Sequence, residues 1–318
     1  MKFRIGTRSS SLAVWQAESV RSALAEAGAE GEIRFIETRG DRNRSDSIAR
    51  LGATGVFAKE IQVALLEGRV DIAVHSLKDL PVEPVPGLRF AATLAREDVS
   101  DVLVSRAGWN LESIPSGARV GTGSLRRRCQ LSYRLGGSVQ VSDVRGNVET
   151  RLKKLDAGEY DALLLAAAGL KRLGFGERVA QGALLDPLGF LPAPGQGALG
   201  LECRQEDRAV CGILARINDT RVYAAVTAER AFLGELQGGC LAPVGAYARF
   251  DGDRFMLKGR ILSLDGAKQF DVEKDIPAGE VTAESAARLG QLAAGEIRSP
   301  EVEAILDEVR ALRKGTSS

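Results

Sequence analysis

Twice along this chain, short apolar runs alternate with longer segments of helical period, and no other feature restricts its fold as strongly. Strand-like runs at residues 3–7, 33–38 and 71–75 flank helix-like segments at 12–27 and 56–67. The pattern resumes after Ser100, with strand-like runs at 119–121, 139–144 and 161–166 around helix-like segments at 125–135 and 148–155. Such alternation is the mark of βαβ units, and it predicts two α/β lobes, each built on a parallel sheet. Gly6-Thr7-Arg8-Ser9-Ser10 and Gly121-Thr122-Gly123-Ser124-Leu125-Arg126 both stand where a first strand passes into a helix, which hints at duplicated lobes. The Pro- and Gly-rich passage at 191–197 breaks the periodicity and is expected to carry the chain between them. From Tyr223 the order changes to a helix ending at Glu235, a Gly-Gly-Cys turn, strand-like runs at 244–250, 255–262 and 268–276, and helices from Ala283 and Glu301. That sequence of elements predicts a small α+β third domain with an antiparallel sheet.

Composition narrows the class of function. With 318 residues the chain is long enough for two or three domains at about 150 residues each. Its 43 Lys+Arg against 42 Asp+Glu leave a net charge of +1, so no field of the whole molecule draws it to nucleic acid. The longest apolar stretch, near 162–169, is too short to span a bilayer. A single histidine, His75, rules out multi-histidine metal sites. Cys129, Cys203, Cys211 and Cys240 are spaced 74, 8 and 29 apart, which fits neither a metal cluster nor a disulfide framework. The N-terminus carries Arg4 and Arg8 where a signal peptide needs its apolar run, so the expectation is a cytoplasmic protein with reduced thiols.

Cations are concentrated in the second lobe. Between Arg119 and Arg178 there are 12 Lys+Arg against 6 Asp+Glu, a local excess of six. Arg8, Arg126, Arg127, Arg145 and Arg172 each follow closely on the C-terminal end of a strand. In open α/β sheets that edge is the ligand crevice, where helix N-termini also offer unpaired N–H groups to anions. Ser10, Ser124 and Asn147 are placed like N-caps. Arginine's planar fork suits carboxylate or phosphate, and no glycine-rich nucleotide motif follows a strand, so a ligand bearing several carboxylates is expected. Lys78 and Asp79 lie in a further strand-end loop, His75-Ser76-Leu77-Lys78-Asp79-Leu80-Pro81, where the acid is placed to donate a proton, to stabilise a cation or to cap a turn. His75 reads as a packed strand-end residue, and Cys129, Cys203 and Cys211 as inert core thiols. Cys240 stands in a turn able to present a thiol to a ligand.

The chain resembles the porphobilinogen deaminase (hydroxymethylbilane synthase) family over essentially its full length. The resemblance is carried, in order, by Gly6-Thr7-Arg8-Ser9-Ser10-Ser11-Leu12-Ala13, Thr38-Arg39-Gly40-Asp41, Phe57-Ala58-Lys59-Glu60, His75-Ser76-Leu77-Lys78-Asp79, Gly121-Thr122-Gly123-Ser124-Leu125-Arg126-Arg127, Arg145-Gly146-Asn147-Val148, Pro194-Gly195-Gln196-Gly197-Ala198 and Gly238-Gly239-Cys240. It implies an α/β protein of two lobes like those of periplasmic binding proteins plus a C-terminal α+β domain. The expected divisions are 1–97 with 195–216, 98–194, and 217–318.

The activity implied is a transferase that joins four porphobilinogen molecules head to tail with loss of ammonia, then releases linear hydroxymethylbilane by hydrolysis. A dipyrromethane cofactor, held by a thioether to Cys240, primes the chain. By matching position, Asp79 would contact pyrrole N–H groups and stabilise the cation formed as the amine leaves. Lys78, Ser124, Arg126 and Arg127 would bind cofactor carboxylates, and Arg8, Ser10, Arg145, Arg151 and Arg172 those of the substrate and growing chain. No metal, nucleic acid or membrane is expected to take part, and the protein is expected to be a monomer. The segments at 95–100 and 191–197 are candidate hinges, and the loop at 40–55 a candidate lid.

Four positions depart from the family pattern: Ser11 replaces a common proline, Thr54 a loop lysine, Gly123 a serine, and Gln237 a glutamate. Two competing readings fit less of the chain. A non-catalytic two-lobed anion-binding module leaves the third domain and Cys240 without a role. A nucleic-acid binder built on Arg126-Arg127-Arg128 lacks interleaved aromatic platforms apart from Tyr133.

Overall fold

The computed structural model describes residues 1–37, 58–237 and 242–315. Two five-stranded sheets carry the first two-thirds of the chain. The first runs β2(Glu30–Phe35), β1(Lys2–Thr7), β3(Ile72–Ser76), β10(Leu199–Arg204), β4(Leu88–Ala92), and the second runs β7(Gln140–Ser142), β6(Arg119–Gly121), β8(Ala162–Ala166), β5(Asp101–Ser105), β9(Ala183–Leu184). In both, three parallel strands are followed by an antiparallel one that has crossed over from the other lobe. The sheets are therefore mixed, where the strand–helix alternation alone predicted parallel ones. Their shared order accounts for the duplication hinted at by the two Gly-Thr motifs.

Residues 93–100 lead from β4 in the first sheet to β5 in the second, and residues 185–198 lead back from β9 to β10. Because β5 is antiparallel to β8, Asp101 at its start pairs with Ala166 at the end of β8. Likewise Leu199 at the start of β10 pairs with Ser76 at the end of β3. Antiparallel insertion thus brings both crossing segments to the edge where the parallel strands end, which is the crevice edge.

Helices α1(Ser11–Glu26), α2(Lys59–Leu66) and α7(Arg208–Ile217) belong to the first lobe. Helix α1 buries Ala13, Ala17, Val20 and Leu24 at helical spacing, the last three against Phe3, Ile5 and Val74 of the sheet. Helices α3(Leu125–Leu135), α4(Val148–Asp156), α5(Ala167–Arg172) and α6(Gly176–Gln181) belong to the second lobe, whose apolar strands are buried on both faces. The C-terminal domain packs α8(Thr220–Glu235), α9(Ala283–Ile297) and α10(Pro300–Gly315) with the antiparallel sheet β11(Val244–Asp251), β12(Arg254–Leu262), β13(Gln269–Pro277) around Phe232, Phe255 and Leu257. Strand β2 begins three residues earlier than its apolar run, because Glu30 N donates to Met1 O (2.8 Å) and pairing with β1 extends it. Among the described residues no helix is long and apolar enough to cross a membrane, and no group of three or more His, Cys, Asp or Glu is placed to hold a metal.

Candidate active site

Each element end at the crevice delivers one part of the site. Strand β3 ends in a single 3-10 turn, Leu77–Asp79, closed by Leu80 N donating to Leu77 O (3.1 Å). Leu77 and Leu80 are buried anchors, and Leu77 N donates to Ala198 O of the return crossing (3.1 Å). With those two pinned, Lys78 stays partly buried while Asp79 is exposed into a cleft. That cleft, of about 100 Å³, is lined also by Arg8 and Ser10 at the end of β1, by Gln16 of α1 and by His75 and Ser76 of β3. Ser10 occupies the N-cap position of α1, yet its hydroxyl makes no cap hydrogen bond.

The second lobe supplies the cations. Ser124 caps α3, its hydroxyl accepting from Arg127 N (3.4 Å), so that Arg126 and Arg127 fall in the first turn at the crevice edge. Asn147 caps α4 in the same way, accepting from Thr150 N (2.8 Å), and places Arg151 one turn in, its Nε donating to Gly146 O (2.8 Å). These groups act on one another. Burial and the nearby Arg127 push the Lys78 ammonium down to about 8, against the pull of Asp79 and Asp101. Burial, with Arg127 and Arg145 beside it, pushes Arg151 down to about 10, against the pull of Asp79. Lys78, Asp79, Arg127, Arg145 and Arg151 therefore share one field. Arg145 also reaches Asp143 (3.3 Å).

Arg172 has different neighbours. Its Nη2 donates to Gly197 O (2.6 Å) on the return crossing, and its guanidinium lies over the Trp15 ring, 5.3 Å from the centroid. It joins α5 of one lobe to α1 of the other. Cys240 and the loop at 40–55 lie outside the described residues.

The largest surprise is an acid. Asp101 is fully buried and accepts from Arg126 Nη1 (2.8 Å), Arg127 Nη2 (2.7 Å) and Gln196 Nε2 (2.8 Å). Burial alone would raise its carboxyl, but the two arginine charges and their hydrogen bonds outweigh it and hold the group far below the usual carboxylate range. Lys78 Nζ reaches Gln196 Oε1 (3.4 Å). The sequence did carry a signal for Asp101: one acid opening the otherwise apolar run Val102-Leu103-Val104. Glu229 gave the same signal, as an acid on the apolar face of α8 between Val226 and Phe232. His75 also finds a buried partner, Glu202 of β10, at 3.0 Å.

The family model for "Porphobilinogen deaminase, dipyromethane cofactor binding domain" matches residues 3–212, and that for "Porphobilinogen deaminase, C-terminal domain" matches residues 223–299. The chain belongs to the porphobilinogen deaminase family. The cofactor-binding domain of this deaminase fold is thus the pair of α/β lobes, and its cofactor is dipyrromethane. The residues present fit a group rich in carboxylates: Arg126, Arg127 and Lys78 gather around the buried Asp101, Arg151 stands beside Arg127, and Arg126 Nε is buried with no hydrogen-bond partner among the described residues. Solved structures similar to this chain are remote. A probable amino-acid ABC transporter extracellular-binding protein from Bacillus subtilis has a TM-score of 0.41 at 11% identity over 68% of this chain and 90% of that one. A Bordetella pertussis BvgS periplasmic VFT2 domain has 0.39 at 15% over 68% and 86%. The L-cystine solute receptor of Neisseria gonorrhoeae has 0.37 at 16% over 68% and 84%.

Proposed function

We propose that this chain is a hydroxymethylbilane synthase, which joins four porphobilinogen molecules head to tail, expels one ammonia for each, and releases linear hydroxymethylbilane by hydrolysis. The observation that carries the reading is the exposed Asp79 carboxylate set among Lys78, Arg127 and Arg151 in one crevice. Porphobilinogen bears two carboxylates and an aminomethyl group on a pyrrole. Lys78, Ser124, Arg126 and Arg127 bind cofactor carboxylates, while Arg8, Ser10, Arg145, Arg151 and Arg172 bind those of the substrate and growing chain.

Asp79 acts where charge develops. The pyrrole nitrogen's electron pair expels the protonated amine as ammonia, leaving a positive azafulvene-like ring whose N–H donates to Asp79. A fixed carboxylate there stabilises that cation without needing to reorganise. The free ring carbon of the acceptor then bonds to the methylene and gives up its proton, which restores the pyrrole. When bound, the dipyrromethane supplies the first such free carbon, and Cys240 is its proposed thioether attachment. Little conventional acid–base chemistry is required, which suits a chain with one histidine, itself paired to Glu202. The reading brings with it a cytoplasmic location and a monomeric state, the latter checked by light scattering.

Purified protein incubated with porphobilinogen tests it. Loss of substrate should be matched by an equal release of ammonia, and by a linear tetrapyrrole at one quarter of that amount. Porphobilinogen that binds and is recovered unchanged would mean a solute-binding protein instead.

A further inference from the structure

One buried carboxylate stands where the site collects cations, and no role above uses it. Asp101 opens β5 at the crevice edge with none of its surface exposed. Its Oδ1 accepts from Arg127 Nε (3.0 Å), Arg127 Nη2 (2.7 Å) and Gln196 Nε2 (2.8 Å), and its Oδ2 from Arg126 Nη1 (2.8 Å). Backbone carbonyls complete the grip: Arg126 Nη1 also donates to Leu191 O (2.5 Å) and Arg127 Nη1 to Leu164 O (3.0 Å).

A guanidinium is a rigid fork, so fixing some of its N–H groups fixes where the rest point. Asp101 fixes two forks at once, and Arg126 keeps a buried Nε without a hydrogen-bond partner among the described residues. The acid also offsets like charges. Arg126, Arg127 and Lys78 repel one another within this group, and Asp101 is the buried anion that offsets the two arginines, joining Asp79 in offsetting Lys78. Gln196 ties the arrangement to both crossings. Its Nε2 donates to Val99 O (2.7 Å) as well as to Asp101, and its backbone oxygen accepts from Arg96 Nε (2.9 Å).

We propose that Asp101 is a positioning residue: it holds the Arg126 and Arg127 guanidiniums in the arrangement that receives the cofactor's carboxylates, and Gln196 anchors that arrangement to the segments joining the lobes. The proposal rests on the family's cofactor chemistry and goes beyond it, since Asp101 has none of its surface exposed and acts through the two arginines.

The test follows cofactor acquisition rather than turnover. Wild type, Asp101→Asn, Asp101→Glu and Gln196→Ala are expressed in cells that make no porphobilinogen, and each full-length apoprotein is then exposed to porphobilinogen. Intact mass under denaturing conditions is read against time, and thermal unfolding is recorded before and after loading. Wild type should gain two porphobilinogen units less two ammonias. Asp101→Asn should gain that mass at least about tenfold more slowly per folded molecule, because one charge-assisted contact of this kind is worth roughly a factor of ten or more. Asp101→Glu should recover part of the rate, and Gln196→Ala should slow it about threefold.

A purely structural role predicts something else: Asp101→Asn unfolds at lower temperature, yet its folded fraction loads at the wild-type rate. That result overturns the proposal. If Asp101→Asn yields no folded protein, Gln196→Ala decides, and wild-type loading in that variant overturns it equally. A wild type that gains no mass at all refutes the family chemistry instead, so the two failures are distinguishable.

Discussion

The carboxylate of Glu229 and the guanidinium of Arg96 meet fork to fork, Oε1 to Nη1 at 2.7 Å and Oε2 to Nη2 at 2.9 Å, with Glu229 fully buried. Glu229 lies in α8 of the C-terminal domain and Arg96 in the outward crossing between the lobes. The same acid accepts from Gly195 N of the return crossing (2.7 Å) and from Ala248 N of β11 (2.9 Å). One side chain therefore fastens both crossings to the C-terminal sheet, and every one of its contacts is a hydrogen bond to a charged acceptor shielded from water.

Removing one partner of a buried pair leaves an uncompensated charge, which costs about 3–5 kcal/mol. Arg96→Ala should lose that much stability in urea unfolding, and Glu229→Gln somewhat less, since its amide can still accept. A loss below about 1 kcal/mol in Arg96→Ala would mean that the crossings are held chiefly by apolar packing.

Gly197, beside that pair, has φ +82°, and a Cβ there would lie 2.4 Å from Glu97 O. Backbone cannot retreat as a flexible side chain can, so Gly197→Ala should destabilise the protein by about 2 kcal/mol or more. Thermal unfolding checks this, and an unchanged midpoint would show that the two crossings can move apart freely.

Lys78 predicts a pH dependence whose sign is fixed. Its folded value, about 8, lies below its ordinary 10.5. Between those limits the unfolded chain binds more protons than the native one, so apoprotein stability rises with pH there and is insensitive to this group below about 8. The difference in unfolding free energy between wild type and Lys78→Met should be flat up to that point and then shift in favour of wild type. Carboxylate binding that depends on the ammonium should weaken over the same range. A difference that stays flat throughout would show that the ammonium is well solvated.

Asp79 is exposed, and its turn is anchored by the buried Leu77 and Leu80 instead, so Asp79→Asn should leave stability within about 0.5 kcal/mol. Turnover should nevertheless fall by about 10²–10³-fold, the usual cost of losing a charge aimed at the transition state. Wild-type kcat in this variant would remove Asp79 from the chemistry.

Much of this was legible in the sequence where the cause is local. Ser124 and Asn147 read as caps because a cap needs only its own next three residues, and both cap. Ser10 sits at the same kind of position without capping, since nothing local decides where a hydroxyl turns. Strands β4, β5 and β10 went unread. Strand β10, Leu199–Arg204, contains Gly200, Glu202 and Arg204, and it is a buried strand only because its charged residues find partners far away in sequence: Glu202 with Gln62 and His75, and Arg204 with Asp71. Asp101 was marked by its place in an apolar run, but its role was hidden for the same reason. Its partners arrive from residues 126, 127 and 196, and only the crossed-over topology brings them together.

The most direct measurement is the intact mass of the denatured protein, in wild type and in Cys240→Ser. The account predicts a wild type heavier than its sequence by two porphobilinogen units less two ammonias, and a variant at the mass of its sequence. If wild type carries no added mass, even after incubation with porphobilinogen, Cys240 is a bystander and the synthase reading is wrong.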